Sequence, residues 1–250
     1  FQVGYRFNIS IFILHQYAGI LAGGKGKRMG YTEMPKQFLE LAGKPIIIHT
    51  LEKFLLNPQI DKIYIGCIAD WTGHTADLVD KYIGWTDKIE VCEGGKDRNG
   101  TIMNIITAVR EQFGINDDDI LITHDAVRPF VTHRMIDENI AAAKKYGICD
   151  TVIPATDTIC VSNDGQFLKE IPWRNNMYQG QTPQSFNINL LLKHFETLTE
   201  EEKATLTDAC KICVLRGAKV KMVDGELFNI KITTPYDLSV ANAIVKGEVK

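Results

Sequence analysis

The sequence predicts an α/β fold: a Rossmann-like, mostly parallel sheet with helices on both faces. Three observations carry that expectation. Strand-like and helix-like segments alternate through the first 150 residues, the strand-like runs are apolar almost throughout, and three of them open into loops of small or charged residues. A strand without polar alternation is one buried on both sides, which requires helices above and below the sheet.

The elements follow in order. "YAGILA" (17–22) reads as the first strand and leads into a glycine and lysine loop. "KPIIIHTLEKFLL" reads as a helix opened by Pro45, whose fixed φ suits a first turn. "DKIYIGCIA" is the next strand and "HTADLVDKYI" the next helix. "KIEVCEGG" precedes "RNGTIMNIITAVREQF", where Ile102, Ile105, Ile106 and Val109 recur at helical spacing. "DDILITHDAVRPF" is a fourth strand, and "HRMIDENIAAAKKYG" a helix stopped by Gly147.

From Thr151 the pattern changes. "TVIPATDTICVSNDGQFLKEIPW" reads as two strands joined around Asp164-Gly165, a strong hairpin signal. A long hairpin leaving an α/β body exposes two edges, so it is expected to be an arm covered by a second subunit. "MYQGQTPQSF" and the helix "NINLLLKHFETL" return to the body, "KVKMV" and "FNIKITT" read as further strands, and "TPYDLSVANAIV" closes as a helix capped by Thr234. The expected organisation is an extension over 1–16 and a single domain over 17–250, with the dimerisation arm at about 151–178.

Bulk composition narrows the function. A formal net charge of -3 argues against broad binding to nucleic acid or an anionic membrane. No apolar stretch reaches membrane-spanning length. The cysteines at 67, 92, 149, 160, 210 and 213 lie mostly in apolar runs and read as buried free thiols. Cys210 and Cys213 form a lone C-x-x-C with no second pair at metal-binding spacing, and both are expected to face the core from a helix. A reducing cytoplasm is the expected compartment.

Positive charge is instead local. "LAGGKGKRMGYTEMPKQF" (21–38) sets Gly23, Gly24 and Gly26 beside Lys25, Lys27, Arg28 and, further on, Lys36. Two familiar phosphate loops fail on spacing. Gly26-Lys27 is followed by Arg28 rather than Ser or Thr, and the third position of a G-x-G-x-x-G fingerprint falls on Met29. The second failure also argues against a nicotinamide-linked oxidoreductase. A glycine turn after a strand still exposes backbone N–H groups, and an arginine fork beside it matches phosphate oxygens. In parallel sheets ligands bind at the carboxyl ends of the strands. That rule places this loop, "EGGKDRNGT" (93–101) and "THDAVRP" (123–129) on one edge.

Taken together, "LAGGKGKRM", "PKQF", "GGKDRNGT", "THDAVRPF", "TDTI", "QTPQSF", "TDA" and "NIKITTPYDL" resemble the cytidylyltransferases that make CDP-activated polyols, in order and spacing, from about Tyr17 to the C-terminus. Among them "ADWTGHTADLVDKY", "YQGQTPQSF" and "LTDACKI" look more like the ribitol-5-phosphate members. Phe228 stands where the 2-C-methyl-D-erythritol 4-phosphate pattern has Asp. The resemblance implies transfer of CMP from CTP to D-ribitol 5-phosphate with release of pyrophosphate, in precursor synthesis for cell-wall polymers. The alternative is the same reaction on 2-C-methyl-D-erythritol 4-phosphate, in isoprenoid synthesis.

It also implies roles. Arg28 and Lys36 stabilise the transition state; Arg174 and Lys231 position the polyol phosphate, with Arg174 reaching in from the partner subunit, and Thr207 belongs with them. Arg128 touches either the polyol phosphate or the partner. Leu21, Ala22, Gly23, Gly24 and Gly26 hold the nucleotide, as do Gly94, Gly95, Asp97, Arg98, Asn99 and Thr101. Asp125 is the best carboxylate to orient Mg²⁺ on the triphosphate, its bland alternative being a loop cap. His124 reads as structural, because the chemistry needs no proton shuttle. A nucleotide-binding protein without turnover is the rival from another class, and it would not require Arg28 and Lys36.

Overall fold

The computed structural model describes residues 15–24, 34–204, 206 and 208–248. Gly26, Arg28 and Thr207 of the expected site lie outside the described residues, as do Lys25 and Lys27.

In chain order the strands are β1 (Gln16–Ala22), β2 (Glu40–Leu41), β3 (Lys44–Pro45), β4 (Lys62–Cys67), β5 (Ile89–Glu93), β6 (Ile120–Asp125), β7 (Ile148–Pro154), β8 (Tyr178–Asn187) and β9 (Lys221–Asp224). The helices are α1 (Ile46–Leu55), α2 (Thr72–Tyr82), α3 (Arg98–Phe113), α4 (His133–Tyr146), α5 (Ile188–Glu196), α6 (Glu200–Ala204), α7 (Ala209–Leu215) and α8 (Pro235–Val245). Among the described residues one sheet runs β5-β4-β1-β6-β8-β7-β9, and β2 with β3 makes a separate two-stranded hairpin. β1 lies parallel to β4 and β6, and β4 to β5. Within the seven-stranded sheet β8 runs antiparallel to both β6 and β7, while β9 is parallel to β7.

Alternate residues of the central strands face two cores. Ala18, Ile20 and Ala22 of β1 join Ile47, Leu51 and Phe54 of α1 and Met135, Ile136 and Ile140 of α4 on one side. On the other, Tyr17 joins Ile102, Ile105, Ile106 and Val109 of α3, Leu191 of α5, and Cys210 and Cys213 of α7. The sheet is therefore covered on both faces, as its apolar strands require. Cys210 and Cys213 are buried free thiols on a helix, as expected, whereas Cys160 is exposed. A third, smaller cluster joins Leu41 and Ile46 to Val127, Ile232 and Ala241, fastening the segment before α8 to the loop after β6. α8 starts with a full capping box, Thr234 accepting from the Asp237 amide while the Asp237 carboxylate accepts from the Thr234 amide.

Several expectations need correction. β1 begins at Gln16, one residue before the strand read from the sequence. Pro45 is the N-cap of α1 and ends β3, one position before the helix. "YQGQTPQSF" is strand β8, which its glycine, proline and polar residues conceal. "FNIKITT" forms no strand; it is an irregular segment held by an Ile232 N–H bond to the Val127 carbonyl. The arm turns at Asp164-Gly165 as expected, with Asp164 Oδ1 accepting from the amides of Gln166 and Phe167. Its flanks, however, do not form a two-stranded ladder: between β7 and β8 the chain shows a single bridge, Val161 to Glu170.

Candidate active site

The carboxyl ends of β1 and β6, the N-terminus of α3 and the segment before α8 meet at one cleft. It is lined by Leu21, Gly23 and Gly24 after β1, Lys36 and Gln37, Asp97, Arg98 and Thr101 from α3, Asp125 to Val127, and Lys231. Nine of the expected site residues thus share one cavity, although they span more than 200 positions of chain. Gln37, Ala126 and Val127 were not anticipated. Gln37 serves the backbone, its Nε2 donating to the Ala22 carbonyl at 2.7 Å, so that Lys36 is carried on a turn clamped to the end of β1. Phe38, next along that turn, stacks on Trp71 with ring centroids 5.1 Å apart.

Asp125 is the electrostatic centre. Lys231 Nζ lies 2.9 Å from one carboxylate oxygen, Arg128 Nε 3.2 Å from the same oxygen, and Arg98 Nε 3.8 Å from the other. Burial alone would push this carboxyl up, but Lys231, Arg98 and Arg128 outweigh it and hold it well below the usual carboxylate range. Asp125 is thus met by three cations, two of which, Arg98 and Lys231, also line the cleft. Arg98 also has a buried Nη1 without a hydrogen-bond partner among the described residues. Such an arrangement is ready to receive more negative charge.

Arg128 is buried behind Asp125 and does not line the cleft; its Nη1 donates to the Asn229 carbonyl at 2.7 Å. Its reach is toward the Lys231 segment of its own chain. Arg174 sits on a short helical turn in the arm, exposed, with Nη1 3.3 Å from the Thr156 carbonyl, and is not part of the cleft wall. Ala22 and Asn99 are buried beside the cleft and do not line it.

The "GGKDRNGT" loop is held against its own chain. The Gly94 amide donates to the Cys67 carbonyl and the Gly95 amide to Thr101 Oγ1, so both N–H groups are used inside the protein. A Cβ on Gly95 would lie 2.2 Å from the Gly100 carbonyl carbon. Gly95 thus lets the loop pack onto the start of α3. Asp97 caps α3 through Gly100 N–H, with its side chain also on the cleft wall.

A second acidic group stands nearby. Gln184 Nε2 donates to Asp150 at 3.0 Å and to Asp208 at 2.8 Å, bridging two carboxylates. Burial, and then the Asp208 charge, push the Asp150 carboxyl up to about 7, against the opposing pull of Gln184 and Arg98. The folded chain therefore keeps a proton that the unfolded chain releases, and stability falls as pH rises from about 4 to about 7 on this account. Asp150→Asn removes that penalty: its melting temperature should exceed wild type at pH 8 and match it near pH 4. Equal gains at both values would contradict the assignment.

The family model described as 2-C-methyl-D-erythritol 4-phosphate cytidylyltransferase matches residues 17–247. Solved structures agree. The 4-diphosphocytidyl-2C-methyl-D-erythritol synthase of Anaerococcus prevotii is 28% identical, covering 93% of this chain and 96% of its own, with a TM-score of 0.76. The 2-C-methyl-D-erythritol 4-phosphate cytidylyltransferase of Francisella tularensis is 30% identical over 91% of this chain and 98% of its own, again with a TM-score of 0.76. The enzyme of that name from Thermus thermophilus, at 22% identity and a TM-score of 0.70 over 94% and 100%, shares the fold. With a sheet of this order, a cation-lined cleft at its carboxyl edge and a family match over nearly the whole chain, the protein belongs to the 2-C-methyl-D-erythritol 4-phosphate cytidylyltransferase family of nucleotidyltransferases.

Proposed function

We propose that the protein transfers CMP from CTP to a polyol phosphate, releasing pyrophosphate. The observation that carries this reading is the convergence of Lys36, Arg98 and Lys231 on the Asp125 cleft beside the glycines that end β1. The acceptor's phosphate, with a second pKa of about 6, is largely a dianion at neutral pH and is already a nucleophile. Its oxygen attacks the α-phosphorus, the bond to the β-phosphate bridging oxygen breaks, and pyrophosphate leaves. The obstacle is repulsion between anions, so fixed cations around the reacting phosphorus do the catalysis. Lys36 acts at the α-phosphate and Lys231 on the acceptor phosphate, and the resemblance gives Arg28 the same role as Lys36. Asp125 would hold Mg²⁺: it is ionised, on the cleft wall, and a single carboxylate suffices when phosphates supply the other ligands. That ion, when bound, neutralises triphosphate charge.

The acceptor that the comparisons support best is 2-C-methyl-D-erythritol 4-phosphate, the compound named for the matched family and for its structural relatives. Ribitol 5-phosphate is the second reading, favoured by the stretches "ADWTGHTADLVDKY", "YQGQTPQSF" and "LTDACKI". Phe228 lends it less weight than the sequence suggested, because its side chain lines a separate groove with Phe130, His133 and Ile244. CTP-dependent pyrophosphate release, measured with each acceptor, decides between them, and silence with both rejects the activity.

The arm is read as the contact between two copies of the chain. Phe167, Leu168, Ile171 and Trp173 are exposed on it, at 75, 63, 57 and 70%. Such a cluster is costly in water and fits a like surface. Arg174 at its base would then reach the partner's cleft. Sedimentation equilibrium should give a dimer that Trp173→Glu dissociates; a wild-type monomer would contradict this.

A further inference from the structure

His124 is wholly buried next to Asp125, with its ring 5.1 Å from that of Phe54. Its Nε2 lies 3.0 Å from the Arg128 carbonyl. A carbonyl only accepts, so Nε2 carries the proton and Nδ1 is left as an acceptor. Thr182 Oγ1 is 2.9 Å from Nδ1 and must donate to it. The same oxygen accepts from the Asp125 amide at 3.2 Å. The imidazole therefore ties the start of the 125–128 turn to its end, through one hydroxyl. The circuit closes elsewhere: Arg128 Nη1 donates to the Asn229 carbonyl, and Asn229 Nδ2 donates to the Thr182 carbonyl at 2.9 Å. Lys231 follows two residues later.

We propose that His124, in its neutral Nε2–H form, and the Thr182 hydroxyl are positioning residues that fix Asp125, Arg128 and Lys231 relative to one another. The proposal deepens the cytidylyl-transfer reading and rests on it for its kinetic consequences. Neither residue lines the cleft.

The test pairs kinetics with NMR. Thr182→Val keeps the shape and deletes the hydroxyl, whereas Thr182→Ser keeps the hydroxyl. Misplacement of reacting groups by about an ångström costs on the order of 10²-fold, so Thr182→Val should lose about 10–100-fold in kcat, and Thr182→Ser should stay within about threefold of wild type. Should Thr182→Val fail to fold, His124→Gln, which keeps a donor for the Arg128 carbonyl, should exceed His124→Leu in kcat. Nitrogen-15 spectra of the wild-type protein at pH 7.5 should show His124 protonated at Nε2 and bare at Nδ1. Wild-type kcat in Thr182→Val, equal losses in the two Thr182 variants, or a His124 protonated at Nδ1 and bare at Nε2 would each overturn the proposal. If wild type releases no pyrophosphate with either acceptor, the activity fails, and the imidazole spectrum then decides the hydrogen-bond circuit by itself.

Discussion

Lys36→Ala is expected to lower the turnover number of CMP transfer by about 10²–10³, the usual loss when one preorganised electrostatic donor is removed from a phosphoryl-type transition state. Affinity for CTP should change far less, because Lys36 acts where charge concentrates during reaction and other groups hold the ground state. The side chain is placed for this: it lines the cleft while its turn is clamped by Gln37 to Ala22 and by Phe38 to Trp71. Steady-state kinetics together with calorimetric CTP binding separate the two effects. A loss confined to affinity would assign Lys36 to nucleotide binding alone.

Asp125→Ala should have the second large effect, on stability as well as activity. Its carboxylate compensates Arg128, which is buried, and Lys231 and Arg98 at the cleft wall. Removing one partner from a buried charged group typically costs about 3–5 kcal/mol, since the remaining charge stays out of water unpaired. Denaturant unfolding should therefore show a loss of that order, and pyrophosphate release should fall below detection. Asp125→Asn keeps the volume and should lose activity equally while destabilising less. A variant that is stable and active would remove Asp125 from its central place.

Much of the fold was legible because its strands are buried on both sides and its helices carry clean apolar faces. The α3 boundaries, from Arg98 to Phe113, coincide with the periodic stretch read from sequence. β8 was missed for the opposite reason: its register is set by β6 and β7, and Thr182, Gln184 and Ser185 spend their polar groups on buried partners rather than on solvent. "FNIKITT" misled because its Ile232 is apolar for the sake of the small cluster under α8, not for a sheet.

The site was legible as a set of loops, since the carboxyl-edge rule needs only strand order. Details depending on side-chain direction were not. Nothing in "GGKDRNGT" announces that Gly94 and Gly95 bond inward, or that Asp97 is spent on capping. Likewise His124 was set aside as structural, and only the tautomer imposed by the Arg128 carbonyl reveals a link to Asp125.

The central claim is that cations, rather than a base, make the acceptor phosphate reactive. The most direct measurement is the acidic limb of kcat/KM against pH, recorded with the natural acceptor and with an analogue whose phosphate ionises at a different pH. The limb should move with the acceptor's own second ionisation, and it should stay in place when exposed His133 is replaced. A limb that ignores the acceptor and follows an enzyme side chain would contradict the claim.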